Sequence, residues 1–315
     1  MAPRLNRRIV SPALLLRRLR LYSTDQVGPI IRVTNIDTTS TGHIRVLELN
    51  RPASRNAISK KLLADLRAEV DSIHAQYTAE GEEAFAGVPQ SNPTRALILA
   101  SSSDTSFCAG ADLRERRGFT PEETADFLAN LRDTFSALAA LPIPTISAIS
   151  AYALGGGLEL ALCTHFRVLA STATVGLPET RLGIIPGAGG TYRLPALIGL
   201  PRARDLVLTG RQVSAPEAYF LGLADRLVEV LPDAKDEENH KLPKKARRMV
   251  LAEAVRLATE ICEGGPVAVR AALQAVAWAR EDVENAMYER VVRTEDRNEA
   301  LEAFREKRKP KFKGR

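Results

Sequence analysis

Two glycine-rich turns, each carrying a glutamate in an apolar setting, are where this sequence could do chemistry. The first reads Ala153-Leu154-Gly155-Gly156-Gly157-Leu158-Glu159-Leu160-Ala161-Leu162. Its glycines end a strand and open a helix whose free backbone N–H groups can receive an oxyanion, with no Cβ in the way of a ligand. Glu159 falls in the first helical turn between two leucines. Facing a pocket, it would be partly desolvated, which raises a carboxyl pKa towards useful acid–base values. Alone, it reads equally well as a helix-start acid complementing the helix dipole. The second turn runs from Gly176 to Thr191, where Glu179 follows Pro178 and precedes more glycines able to present N–H groups. On its own this is an ordinary turn acid that could pair with Arg181. Two carboxylates aimed at one cleft can hold a water between them and move protons to and from it, which suits addition of water across a double bond.

Other chemistries lack their signatures. There is no GxSxG elbow, no GxxxxGK[ST] loop, no GxGxxG opening a helix and no HExxH. His43, His74, His165 and His240 show no ligand spacing, and no metal is expected. His165, in an apolar run, reads as a core residue. Cys108, Cys163 and Cys262 are odd in number and far apart, which supports neither a disulfide framework nor a zinc knuckle.

The elements that must position the glutamates read as α/β. Strands are predicted at Ile30 to Thr34 and His43 to Leu49. Ser59 is placed to cap a helix with Leu63, Leu66, Val70 and Ile73 on one face. Thr78 to Thr94 reads as a polar surface loop, and Arg95 to Ala100 as a buried strand feeding the loop Phe107 to Asp112. Thr120 caps a helix running to about Ala140, and Thr145 to Ile149 is the next strand. Ile146 to Cys163 is apolar, but Glu159 in its middle argues against a membrane span. Ser214 to Leu221 and Arg247 to Arg305 read as helical, with Pro232 to Lys245 a linker or insertion. The expected division is 1–22, 23–245 for the core, and 246–315 as a separate helical region.

The formal net charge of +6 is concentrated at the ends. Residues 1–22 carry six Arg and no acid, the composition of a mitochondrial transit peptide cut after Tyr22. The tail REKRKPKFKGR is also basic and reads as a solvated end. The body between them is mildly acidic, so basicity gives little argument for a nucleic-acid partner.

Five runs together carry a resemblance: Asn50-Arg51-Pro52 through Asn56-Ala57, Cys108 to Leu113, Tyr152 to Leu162, Gly176 to Thr191, and Phe304 to Arg308. In them the chain resembles the enoyl-CoA hydratase/isomerase (crotonase) superfamily over about Ile30 to Arg315. The resemblance implies a spiral of ββα turns with a C-terminal helical trimerisation region, assembled as a homo-oligomer, trimer or hexamer. It implies that the N–H groups of Ala111 and Gly156 form an oxyanion hole for a thioester carbonyl. Glu159 would act mainly as base and Glu179 mainly as acid. Ala109, Asp112, Leu113, Gly155, Pro178 and Gly187 would line the CoA loop and acyl pocket. No cofactor is implied beyond the CoA of the substrate. Having both glutamates argues for a hydratase over the single-acid isomerases.

Within that family, Ala111 to Arg116, Gly157 to Leu162 and Thr294 to Arg297 are most similar to members acting on 3-methylglutaconyl-CoA in leucine breakdown, in the mitochondrial matrix. A general short-chain enoyl-CoA hydratase of fatty-acid oxidation is the alternative. A substrate with a distal carboxylate wants a cation near its acyl end, and Arg114, Arg116 or Arg117 could supply it. Some mammalian members bind AU-rich RNA through a Lys-rich first helix. Here Lys60, Lys61 and Arg67 are balanced by Asp65, Glu69 and Asp71, which gives RNA binding little support. Three features depart from the family pattern: Ala151 where glycine is frequent, His165 where aspartate is common, and long segments at Thr78 to Thr94 and Pro232 to Lys245.

Overall fold

The computed structural model describes residues 28–85, 92–232 and 241–315, so the targeting expectation at 1–22 lies outside the described residues. Along the chain come β1 (Ile31–Asp37), β2 (His43–Leu49), α1 (Lys60–His74), β3 (Thr94–Ser101), β4 (Ser106–Cys108), α2 (Leu113–Arg116) and α3 (Pro121–Ala139). Then follow β5 (Thr145–Ile149), β6 (Tyr152–Leu154), α4 (Gly156–Ala161), β7 (Phe166–Ala170), β8 (Thr174–Gly176), α5 (Gly190–Ile198) and α6 (Leu200–Thr209). The chain continues through β9 (Gln212–Ser214), α7 (Ala215–Leu221), β10 (Arg226–Val228), α8 (Leu242–Cys262), α9 (Pro266–Trp278), α10 (Glu281–Val292) and α11 (Glu295–Glu306).

Two sheets result. One has the order β1-β2-β3-β5-β7-β10, and the other β4-β6-β8-β9. Successive strands alternate between them, β3 then β4, β5 then β6, β7 then β8, each pair followed by helix or turn. This is the expected spiral of ββα turns. Pairing is parallel throughout except at β1–β2 and β8–β9.

Strand β3 (TRALILAS) is buried along its whole length because both of its faces are covered. Leu97 and Leu99 face a core with Leu63, Leu66 and Val70 of α1 and Phe127, Leu131 and Phe135 of α3. Ala96, Ile98 and Ala100 face Ala246, Val250, Ala254 and Ala258 of α8. The helix starts that fix these layers are set locally. Ser59 accepts from the Leu62 N–H, and Thr120 with Glu123 forms a reciprocal capping box.

Four expectations change. The boundary at 245/246 cuts across the packing, since α8 belongs with the large sheet; the helices that follow Gly264-Gly265 form the outlying group. The segment Pro232 to Lys245 does not run as linker to its end, because α8 starts at Leu242 with Pro243 in its first turn. Thr78 to Thr94 is not only a surface loop: it brings Glu83 into a buried ion pair with Arg95 and, at 3.0 Å, with Arg270 of α9. The basic tail keeps its Lys and Arg side chains exposed, as expected, but its backbone is anchored. Buried Asp296 of α11 accepts from the Lys313 and Gly314 N–H groups at 2.6 and 2.8 Å.

Two of the departures from the family pattern have a physical account. His165 Nδ1 accepts from the Thr145 backbone N–H at 3.1 Å, and the His165 backbone N–H donates to Thr145 Oγ1 at 3.0 Å. Burial, with the charge of Arg167, brings its imidazole down to about 4, so it is a neutral acceptor at pH 7, the role an aspartate carboxylate can fill. Ala151 is absent from the positive-φ residues, so its position asks for no glycine.

Candidate active site

The first wall is the loop leaving β4. Ile58 donates to Gly110 O at 2.8 Å and accepts from the Asp112 N–H at 3.1 Å, a parallel bridge spanning Ala111. In that pattern the intervening N–H, that of Ala111, points away from Ile58. The second wall is the turn from β6 into α4. Gly155 stands at φ 54°, ψ −127°, a conformation open to glycine and strained for other residues. A Cβ on Gly157 would lie 2.1 Å from the Cys108 carbonyl oxygen, so the helix start rests directly on the end of β4. Gly156 opens α4, and its N–H has no acceptor within the helix. A Cβ on Gly156 would lie 3.6 Å from the Ala111 nitrogen. The Ala111 and Gly156 backbones therefore stand side by side, and both line one cleft.

Glu159 projects from α4 and is 3% exposed. Its Oε1 accepts from the Ala188 and Gly190 N–H groups at 2.7 and 2.9 Å, and both belong to the second glycine-rich turn. Burial raises its pKa, while those two N–H bonds and the charges of Arg193 and Arg132 pull it back. The bonds favour the carboxylate form and fix its orientation.

Glu179 opens a short 3-10 turn after Pro178 and is 8% exposed. Its Oε2 is buried without a hydrogen-bond partner among the described residues. Burial, with a further push from the negative charge of Glu159, lifts its pKa to about 7. Burial thus pushes both carboxyls upward, while only Glu159 has N–H donors that favour its charged form.

Both glutamates line a cleft of about 800 Å³. Ala109, Ala111, Leu113, Gly155, Gly156, Pro178 and Gly187 line it too, so the structure brings all but one of the sequence-derived site residues together. The exception is Asp112, whose carboxylate turns inward to cap α2 and to pair with Arg51 at 3.2 Å. Of the three arginines considered for a distal carboxylate, Arg116 alone lines the cleft, leaning over the Phe127 ring at 5.8 Å. Sequence reasoning missed Arg132 of α3, which lines the cleft and donates from Nε to Gly187 O at 2.7 Å. No local signal marks it, since its partner is 55 residues away.

Comparison with known proteins agrees with this architecture. The Enoyl-CoA hydratase/isomerase family matches residues 39–315. The chain is 65% identical to methylglutaconyl-CoA hydratase 1, mitochondrial, of Pyricularia oryzae, over 94% of this chain and 90% of that one. It is 38% identical to the mitochondrial methylglutaconyl-CoA hydratase of Mus musculus, over 90% and 83%. The crystal structure of an enoyl-CoA hydratase from Bacillus anthracis superposes with a TM-score of 0.74 at 37% identity, covering 91% of this chain and 100% of that one. On its fold, its paired glutamates and this likeness, the chain belongs to the enoyl-CoA hydratase/isomerase family.

Proposed function

We propose that the protein reversibly adds water across the double bond of a 2-enoyl-CoA thioester, with 3-methylglutaconyl-CoA as substrate. The observation that carries the chemistry is the pair itself: Glu159 anchored by two N–H groups that favour its carboxylate form, and Glu179 with a buried oxygen that has no partner among the described residues. The thioester carbonyl binds the N–H groups of Ala111 and Gly156, which draws electron density from C3. Glu159 takes a proton from water as its oxygen bonds to C3. Negative charge develops on the thioester oxygen, where the two backbone donors stabilise it. Glu179 then delivers its proton to C2, completing a syn addition. No cofactor is needed beyond the CoA that the substrate carries.

The choice of acyl group is supported by the named relatives, two of which are methylglutaconyl-CoA hydratases at 65% and 38% identity. The names of both also say mitochondrial, which with the Arg-rich leader supports a matrix location. A homo-oligomer, trimer or hexamer, is supported by exposed apolar side chains on the outlying helices, including Val276, Trp278, Tyr288 and Phe304. RNA binding is disfavoured. On α1, Lys61 pairs with Asp65 and Arg67 with Asp71, and in the tail Arg308 pairs with Glu299 and Arg315 with Glu295.

The test is kcat/KM on 3-methylglutaconyl-CoA and crotonyl-CoA side by side. A strong preference for the first supports the proposal. Equal or better turnover of crotonyl-CoA overturns the substrate assignment and leaves a general short-chain hydratase.

A further inference from the structure

One peptide group, Gly187-Ala188, joins the reacting centre to a cation. Its N–H donates to Glu159 Oε1 at 2.7 Å, and its carbonyl accepts from Arg132 Nε at 2.7 Å. A peptide group is planar and rigid, with N–H and C=O on opposite sides. The two bonds and the width of the peptide put Arg132 Nε no more than about 8 Å from Glu159 Oε1. Among the described residues, only Nε is engaged: the terminal nitrogens of this exposed guanidinium make no hydrogen bond or ion pair there, and the side chain lines the cleft.

The geometry points to Arg132 as the residue that reads a carboxylate on the acyl chain. A guanidinium tethered through Nε still offers its two terminal nitrogens, a fork that matches a carboxylate oxygen for oxygen. The distance also suits the chemistry. A water bonded to Glu159 stands next to C3, and a carboxylate one methylene beyond C3 lies a few bond lengths further on, within the span that the shared peptide sets. The Arg116 guanidinium, by contrast, is held among the described residues only over the face of Phe127. Its place is not tied to either glutamate. The tether also makes Arg132 a positioning residue for Glu159, because the peptide it holds supplies one of that carboxylate's two anchors.

This inference rests on the proposed hydratase reading, and the experiment separates the two. kcat/KM is measured for wild type, Arg132→Gln and Arg132→Lys on 3-methylglutaconyl-CoA and on crotonyl-CoA. Binding of the unreactive glutaryl-CoA and butyryl-CoA is measured alongside. In Arg132→Gln both substrates lose rate, since the Gly187 tether is weakened. The ratio of kcat/KM for the carboxylated over the plain substrate falls a further 10- to 100-fold, roughly the worth of a hydrogen bond to a charged group. The binding preference for glutaryl-CoA over butyryl-CoA falls with it. Arg132→Lys keeps the cation and recovers part of both ratios. Equal losses on both substrates, with the glutaryl-CoA preference intact, would leave Arg132 a positioning residue and overturn the carboxylate assignment. A wild type with no preference for either carboxylated compound overturns this inference and the substrate reading together. A wild type that prefers them while Arg132→Gln keeps the preference overturns the inference alone.

Discussion

Replacing Glu179 by Gln should make the protein more stable at alkaline pH while cutting its activity to a small residue. Burial lifts the Glu179 carboxyl from the usual 4.5 to about 7. The folded chain therefore holds this proton more tightly than the unfolded chain. The sign follows from linkage: between pH 4.5 and 7 the folded state binds more protons, so wild-type stability falls as pH rises through that window and levels off above it. From pH 5 to pH 8 the loss is about 2 to 3 kcal/mol, from 1.36 kcal/mol for each pKa unit. Gln is neutral at every pH and carries no such loss. Differences in packing between the two side chains are nearly the same at both pH values and cancel. Equilibrium unfolding of wild type and Glu179→Gln at pH 5 and pH 8 therefore gives four numbers and one decisive difference. The variant's advantage should grow by about 2 to 3 kcal/mol on going to pH 8. An advantage that does not change with pH would refute the claim that Glu179 sits in a site hostile to its charge.

Other perturbations have equally definite outcomes. Glu159→Gln keeps an oxygen for the Ala188 and Gly190 N–H groups but loses the base, so kcat should fall about 10²- to 10⁴-fold while binding of a non-reactive acyl-CoA, read by titration, hardly moves. Gly155→Ala puts a residue with a Cβ at φ 54° and sets that Cβ 3.1 Å from Glu179 Oε1; a stability loss of about 1 to 3 kcal/mol and a large drop in turnover are expected, read by unfolding and by hydration assays. Asp296→Ala leaves the Lys313 and Gly314 N–H groups without their acceptor, and limited proteolysis should then clip the C-terminal tail much faster than in wild type. The leader is checked by sequencing the amino terminus of the native protein, which should begin near Ser23.

The parts of the site that lie close together in the chain were the parts most legible in the sequence. Gly155, Gly156, Gly157 and Glu159 are nearly consecutive, and the first two glycines answer to local demands, a positive φ and an open N–H, while the contact of Gly157 with Cys108 shows only in the folded chain. Ser59 and Thr120 were equally plain as caps, since a cap is decided by the next three residues. What stayed hidden depends on contacts between distant segments. Arg132 acts through Gly187, Glu83 through Arg95 and Arg270, and Asp296 through Gly314. The amphipathic pattern of α8 likewise shows a buried face without saying which surface buries it. The contrast between the two glutamates was not readable either. Glu159 and Glu179 are both acids beside glycines in sequence, and only the folded chain gives one of them two N–H donors and leaves the other an orphaned oxygen.

The pH dependence of kcat/KM for hydration of 3-methylglutaconyl-CoA, followed by the ultraviolet absorbance of the conjugated thioester, tests the paired-glutamate mechanism most directly. In the proposed mechanism the active form carries one proton on the pair, held by Glu179. Rate should therefore fall as pH rises through about 7, and the residual rate of Glu179→Gln should lack that limb. An alkaline limb that persists unchanged in Glu179→Gln would contradict the assignment of the acid.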